Sequence, residues 1–486
     1  MTTLARIPDA DEALTACLAR VLAALLGPGD SVLLDGPVGA GKTHFARALI
    51  RARQGDAAED VPSPTFTIVQ TYEDAAGTEI WHADLYRLTD PSELVELGLD
   101  EALPTAVTLI EWPDRMGAPP PGALTVSLTV TLTVTLRDTA PERRQIELCG
   151  DPARWPAIPR AAAIAGFLHG AGWAEARLDP LAGDASARRY FRLHGPVGRA
   201  VLMDDPPPGS LSRYLAMTGW LRARGFHAPA VLARDEAQGL LLMEDLGNDL
   251  LARVLGDDPA RAPELYAAVT DLLADLARHA PPGFAPALDG AELAAQVGLF
   301  TDWYAPVAGE PGAGAGVPQA IAALWDRLCA DIAPVTGLRD FHAENIVLLD
   351  DGTLGLLDFQ DAVAVHPAYD LVSALQDARR DVDPGVEAAC VARYVAATGA
   401  DPARFGAAYA LLGAQRSLRI MGIFTRLCIR DGKPRYLAFM PRVWAAIRRD
   451  VAHPDLAPLA AALDGIAAPD AGIIERIRAR CASPTP

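Results

Sequence analysis

The octapeptide Gly36-Pro37-Val38-Gly39-Ala40-Gly41-Lys42-Thr43 constrains this chain more than any other stretch. It fits G-x-x-x-x-G-K-[ST], a loop whose backbone N–H groups cradle phosphate oxygens. Such a loop works between a buried strand and the start of a helix, because loop amides and helix dipole must converge on one anion. The flanks meet that demand. Residues 31–35, Ser-Val-Leu-Leu-Asp, read as a short apolar strand, and residues 43–53 as a helix. Ahead of them, Leu14, Leu18, Val21, Leu22 and Leu25 recur at helical spacing over residues 11–26, and Gly27-Pro28-Gly29-Asp30 reads as a turn. An α/β P-loop NTPase domain, a mostly parallel sheet with helices, is therefore expected at the N-terminus. In it Gly36, Gly39 and Gly41 let the backbone close on the phosphates of ATP, Lys42 reaches the β/γ phosphates, and the Thr43 hydroxyl ligates Mg²⁺.

Composition sharpens the reading of Lys42. Lys42 and Lys433 are the two lysines of the chain; every other basic side chain, histidine aside, is arginine. A lysine kept against that bias marks a position where a planar guanidinium will not serve. At 486 residues the chain exceeds one compact core. Its formal net charge of −19 disfavours broad direct contact with nucleic acid. None of the six cysteines stands in a C-x-x-C pair, so neither a zinc site nor a disulfide framework is indicated. No apolar run is long enough for a membrane span, and residues 1–13 lack the apolar core of a secretory signal. The expected compartment is the cytoplasm, with no membrane partner.

Two carboxylates stand out downstream of the loop. Glu111 follows an apolar run, residues 106–110, that reads as a buried parallel strand, and P-loop proteins hold Mg²⁺ or orient water at the end of such a strand. Asp84 sits in Trp81-His82-Ala83-Asp84-Leu85-Tyr86-Arg87, and Ser63-Pro64-Thr65 offers a hydroxyl on a turn. Taken alone, both acids read more readily as solvated surface acids. The set resembles the TsaE family: residues 36–43, Val61-x-Ser63-Pro64-Thr65-Phe66, His82-x-Asp84-Leu85-Tyr86-Arg87-Leu88 and Ile110-Glu111-Trp112-Pro113 come in that order, over roughly residues 5–150. The resemblance implies an ATPase subunit of the machinery that makes threonylcarbamoyl-adenosine in tRNA. It assigns Mg²⁺ to Thr43 and Glu111, the attacking water to Asp84, and the nucleotide site to Thr65. It implies TsaB- and TsaD-like partners, with tRNA met only indirectly.

A composition break at residues 149–160, with Gly150, Pro152, Pro156 and Pro159, reads as a linker between a domain over 1–148 and another over 161–486. In the second, Leu338-Arg339-Asp340-Phe341-His342-Ala343-Glu344-Asn345 precedes two short apolar strands that end at Asp358. The Asp340-x-x-x-x-Asn345 spacing is that of a kinase catalytic loop. There the Asp accepts the proton of the acceptor hydroxyl, the Asn holds Mg²⁺, and an Asp after the next hairpin holds the metal bridging the phosphates. Upstream, residues 241–247 read as a strand leaving into a hinge, where the backbone at Glu244 is expected to meet adenine. Residues 183–192 lie where a phosphate-covering hairpin belongs.

These segments resemble the aminoglycoside phosphotransferase-like kinases over about residues 161–450. The match is closest to the branch of the anomeric N-acetylmuramate/N-acetylglucosamine kinases. The carrying motifs are Asp184-Ala185-Ser186-x-Arg188-Arg189-Tyr190-Phe191-Arg192, Met203-Asp204-x-Pro206-Pro207, Arg339-Asp340-x-His342-Ala343-x-Asn345 and Leu357-Asp358-Phe359-Gln360-Asp361. The resemblance implies a bilobal α+β domain, an N-lobe over about 161–245 and a helix-rich C-lobe over about 246–486. It implies ATP-dependent phosphorylation of an amino sugar's anomeric hydroxyl, with Asp370 bracing the catalytic loop. One departure matters: the strand ending Ala200-Val201-Leu202-Met203-Asp204 carries no phosphate-gripping lysine. Arg188 and Arg189 are the expected substitutes. That gap keeps two alternatives open, a non-catalytic regulatory domain and a kinase for another small alcohol or an aminoglycoside. Trp303, Tyr304, Trp325, Arg416 and Arg419 are candidates for the acceptor pocket, with core packing the plainer role for the aromatics.

Overall fold

The structure, a computed structural model, describes residues 2–55, 60–90, 92–131, 143–181 and 188–482. The chain divides into two compact units, one of Met1–Leu211 with Ala230–Asp245, the other of Ser212–Pro229 with Leu246–Pro486.

The first unit is built on a seven-stranded sheet. Its strands are β1 (Thr2–Ala10), β2 (Ser31–Asp35), β3 (Val69–Glu73), β4 (Glu79–Asp84), β5 (Val107–Glu111), β6 (Leu124–Thr131) and β7 (Arg143–Gly150), in the order β1-β7-β6-β2-β5-β4-β3. The parallel part is confined to β6, β2, β5 and β4, and the outer pairs are antiparallel. Helix α1 (Glu12–Ala23) starts on Asp11, whose side chain accepts from the Leu14 amide at 2.8 Å. A cap of this kind contributes about 1 kcal/mol. Helix α2 (Lys42–Gln54) opens directly on the loop glycines. The period-two run near residues 123–136 becomes β6 up to Thr131; the rest of it lies outside the described residues. Strand β1 carried no sequence signal, because Pro8 and a register shift between Ile7 and Ala10 break its alternation.

The same unit holds a second, five-stranded antiparallel sheet of β8 (Arg177–Leu181), β9 (Arg189–Gly195), β10 (Gly198–Asp204), β11 (Val231–Asp235) and β12 (Leu240–Glu244), ordered β11-β12-β10-β9-β8. The helix Ile158–Gly170 packs on α1 and joins the two sheets. One apolar cluster runs from Leu18 and Leu22 of α1 and Phe45 of α2 through Ile164 and Leu168 to Leu193, Leu202 and Leu242. Each such side chain contributes about 1.5–3 kcal/mol by leaving water. The linker read at 149–160 is shorter than its composition suggested. Cys149 and Gly150 close β7, Trp155 is buried with its indole N–H donating to the Gly122 carbonyl at 2.9 Å, and the next helix begins at Ile158.

The second unit is helix-rich, as the sequence led us to expect. A 28-residue helix, Pro402–Ile429, packs against Met440–Asp450 and Ala368–Leu375. Two short antiparallel pairs lie before it: β13 (Val335–Gly337) with β16 (Val363–Val365), and β14 (Ile346–Leu348) with β15 (Leu354–Leu356). Among the described residues no helix is long and apolar enough to cross a membrane.

Candidate active sites

The P-loop has the geometry its glycines allow. Gly36, Gly39 and Gly41 have φ of +142°, +80° and +99°. A Cβ at Gly36 would meet the Leu128 carbonyl oxygen at 2.3 Å, so no larger residue fits there. The Lys42 ammonium donates to the carbonyls of Gly36 at 2.7 Å and Pro37 at 2.9 Å, and lies 3.8 Å from the centre of the Trp112 ring. Burial holds its pKa below the usual lysine value, while nearby Glu111, Asp84 and Asp35 push the other way.

The two carboxylates come from neighbouring parallel strands, where Asp84 and Glu111 stand directly opposite. Both are buried, at 4% and 2% exposure, so the surface reading of either acid is excluded. Each has a hydroxyl partner. Thr43 Oγ1 donates to Glu111 Oε2 at 3.1 Å, and Thr65 Oγ1 donates to Asp84 Oδ2 at 2.7 Å. The Tyr86 amide donates to Asp84 Oδ1 at 3.1 Å. The predicted residues Lys42, Thr43, Thr65, Asp84 and Glu111 are thus linked around one loop. Two contributors had no assigned role in the sequence reading. His82 Nε2 lies 2.9 Å from Glu111 Oε1 with no solvent exposure, and Trp112, at φ +60°, lies beneath Lys42. Both stand inside recognised motifs, but spacing alone did not say what they touch.

On the second sheet, Arg189 stands opposite Asp204 in the β9–β10 register. Its Nε and Nη2 donate to Asp204 Oδ2 at 3.0 and 2.5 Å, and Arg160 Nε donates to Asp204 Oδ1 at 2.7 Å. Arg189, expected at ATP phosphates, is therefore engaged with a fully buried carboxylate. Arg188 Nη1 donates to the Tyr190 hydroxyl at 3.3 Å. Glu244 Oε2 accepts from the Ala230 amide at 2.9 Å, and the Glu244 amide donates to the Ala230 carbonyl at 2.9 Å, which ties β12 to the start of β11. The expected phosphate-covering hairpin includes residues 182–187, which lie outside the described residues.

In the second unit the catalytic-loop candidates form one network. Asn345 Nδ2 donates to the Asp340 carbonyl at 2.9 Å, and the Leu357 amide donates to the Asn345 carbonyl at 2.9 Å, so the loop is tied to the strand that delivers Asp358. Gln360 Nε2 donates to Asp358 Oδ1 at 2.8 Å. Arg339 and Asp358 have φ of +74° and +54° without being glycine. Asp370 holds the loop from behind, accepting from the amides of Leu338 at 2.5 Å and Arg339 at 3.0 Å. Burial pushes its pKa up to about 6, against the lowering effect of those amides and of Arg416. Arg416 Nη1 donates to the Arg339 carbonyl at 3.4 Å, so this arginine backs the loop. Tyr304 and Trp325 are core residues; the Tyr304 hydroxyl donates to the Ala467 carbonyl at 2.8 Å.

Among the described residues no three His, Cys, Asp or Glu side chains gather into a metal cage. The donors at both sites are hard oxygens, carboxylate at each, with hydroxyl at one and amide at the other. That suits Mg²⁺, which shares its shell with water and substrate phosphates rather than filling an all-protein cage.

Comparison with known proteins agrees with this geometry. Residues 9–146 match the family model "Threonylcarbamoyl adenosine biosynthesis protein TsaE", and residues 177–407 match the "Phosphotransferase enzyme family". An N-acetylmuramate/N-acetylglucosamine kinase from Caulobacter vibrioides is 39% identical over 353 residues, covering 63% of this chain and 96% of that protein. The kinase of the same name from Pseudomonas aeruginosa is 37% identical, covering 59% of this chain and 89% of that protein. A tRNA threonylcarbamoyladenosine biosynthesis protein TsaE from Rickettsia conorii is 50% identical over 95 residues, 20% of this chain and 53% of that protein. With P-loop and catalytic loop each in a matching region, the chain belongs to the N-acetylmuramate/N-acetylglucosamine kinase family and carries a TsaE-family region ahead of the kinase.

Proposed function

We propose that this chain is a bifunctional ATP-using enzyme. Its kinase part transfers the γ-phosphoryl group of ATP to the anomeric hydroxyl of N-acetylmuramate or N-acetylglucosamine. Its P-loop part hydrolyses ATP for threonylcarbamoyl-adenosine formation on tRNA, acting on TsaB- and TsaD-like partners. The observation that carries the kinase reading is the 39% identity across nearly the whole of a kinase of that name.

In the kinase part Asp340 accepts the proton of the acceptor hydroxyl, and Asn345 and Asp358 would hold Mg²⁺. Asp370 keeps the loop rigid through its two amide bonds. The missing strand lysine has a local answer. Arg160 and Arg189 both bond the buried Asp204, so of the two expected arginines Arg188, just ahead of β9, is the one placed at the phosphates in this reading. In the P-loop part Lys42 and the loop amides bind phosphate. Thr43 and Glu111 would hold Mg²⁺, His82 orients Glu111, and Asp84 positions the attacking water with Thr65 beside it. Bound Mg²⁺·ATP supplies the transferable phosphoryl group at both sites.

The test is a panel of acceptors with purified full-length protein and ATP, run on wild type and on Lys42→Ala. Phosphorylated N-acetylmuramate or N-acetylglucosamine from both proteins is the expected result. No product from either amino sugar, while ATP still binds, overturns the kinase half.

A further inference from the structure

A basic crevice of about 960 Å³ opens between the P-loop sheet and the five-stranded sheet, inside the first unit. It is lined by the C-terminal ends of α1 and α2 and by β8. Among the described residues four arginines line it, Arg20, Arg51, Arg53 and Arg177, against two carboxylates, Asp74 and Glu175. That balance stands out in a chain whose formal charge is −19.

The arginines differ in what they already do. Arg53 is structural: its Nη1 donates to the carbonyls of Ala23 at 2.9 Å and Leu26 at 2.7 Å at the end of α1, and its Nη2 bonds Asp74 at 2.5 Å. Arg20 donates to the Ala174 carbonyl at 2.7 Å, a neutral partner, and Glu175 is the carboxylate whose charge acts on it. Arg177 bonds Asp179 at 3.0 Å, and that carboxylate also meets His194 at 3.2 Å. The Arg51 side chain is exposed and makes no hydrogen bond or ion pair among the described residues. Burial lowers the pKa of Arg20, with Arg51 pushing the same way and Glu175 opposing it. Two guanidiniums close enough to repel, one of them with no side-chain partner among the described residues, form a surface that an anion relieves.

We propose that this crevice is a binding site for a small phosphate monoester, with Arg51 as the principal ligand and Arg20 and Arg177 beside it. Guanidiniums on three separate elements can reach one terminal phosphate from different sides, and forked donors match its oxygens. The volume suits a ligand the size of a sugar phosphate. The charge excess is too small for a nucleic-acid backbone, which is met by extended basic tracts. The site is distinct from the P-loop: α2 begins at Lys42 and carries Arg51 one turn from its other end, and its 13 residues span roughly 20 Å. The proposal rests on neither proposed activity.

The experiment is isothermal titration of the full chain with Mg²⁺ and a saturating non-hydrolysable ATP analogue present, so that the nucleotide sites are filled. The probes are inorganic phosphate, glucose 6-phosphate and a short RNA duplex. One saturable site for a phosphate probe is expected, with Arg51→Ala weakening it at least about tenfold and Arg51→Glu abolishing it. Lys42→Ala should leave it unchanged. Because Arg51 is exposed, both variants should keep the wild-type melting temperature, which separates loss of binding from loss of fold. Stronger binding of glucose 6-phosphate than of inorganic phosphate identifies an ester, and equal binding identifies the free anion. Undiminished binding in Arg51→Glu, no saturation by either phosphate probe at millimolar concentration, or binding of the RNA alone overturns the proposal.

Discussion

The P-loop and the catalytic loop handle the same chemical group by opposite structural means. In the P-loop the left-handed backbone falls on glycines, Gly36, Gly39 and Gly41, for which a positive φ carries no steric penalty. In the catalytic segment it falls on Arg339 and Asp358, where it costs of order 1–3 kcal/mol each. Such backbone persists only if its surroundings over-determine it. Here Asp370, some thirty positions away, binds the amides of Leu338 and Arg339, and Arg416, still farther along, binds the Arg339 carbonyl. The first site is assembled locally by a motif and finished by two strand-end carboxylates. The second is assembled at long range, so its integrity depends on the core behind it.

The sharpest test of that contrast is Asp340→Asn. It should lower the kinase rate by about 10²–10⁴-fold, the usual contribution of a general base. ATP hydrolysis by the P-loop, measured with its partner proteins, should be untouched; a parallel loss of both would merge the sites that the comparison separates. The reciprocal variant, Lys42→Ala, removes a preorganised cation at the phosphates. We expect a fall of about 10²–10³-fold in partner-stimulated ATPase with sugar phosphorylation intact.

His82→Ala probes how local the first site is. His82 reaches Glu111 Oε1 at 2.9 Å, while Thr43 bonds the other carboxylate oxygen. Loss of such a partner should weaken Mg²⁺ dependence of the ATPase by about 10–100-fold, read as a shifted Mg²⁺ titration. An unchanged titration would mean that Thr43 alone holds Glu111 in place.

The smallest effect concerns the core behind the catalytic loop. Asp450 is buried, accepts from Gln376 Nε2 at 3.1 Å, and burial pushes its pKa up to about 8 from an ordinary 3.8. A carboxyl whose folded pKa is raised contributes stability while protonated, and that contribution disappears as pH rises through the folded value. Unfolding free energy should therefore fall by about 2 kcal/mol between pH 6 and pH 9. Asp450→Asn, neutral at every pH, should flatten that slope in thermal melts. A slope equal to wild type would assign it to another group.

Much of this was legible from residue order. The P-loop, its strand and its helix were readable because they are contiguous and their chemistry admits few residue types. The catalytic spacing Asp340 to Asn345 and the hairpin to Asp358 were readable for the same reason. Strand β1 was not, since Pro8 and a register shift disrupt its alternation and its pairing with β7 lies more than 130 residues away. Nor was the engagement of Arg189: two neighbouring arginines look equivalent in sequence, and strand register alone sets Arg189 against Asp204 while Arg188 meets Tyr190. Asp84 and Glu111, which taken alone read as surface acids, became a buried pair only because β4 and β5 run parallel in matched register.

The residue sequence was enough to point to phosphate chemistry and to name the candidate groups for it, one retained lysine and two sets of carboxylates. Tertiary structure decided which groups meet. Hydrogen bonds and ion pairs act over about 3 Å, and no one-dimensional pattern specifies that distance between Thr43 and Glu111 or Asp370 and Arg339. The crevice at the ends of α1 and α2 is the clearest case. Its arginines are scattered over more than 150 positions of an acidic chain and become a basic site only when the helix Ile158–Gly170 packs the second sheet onto the first.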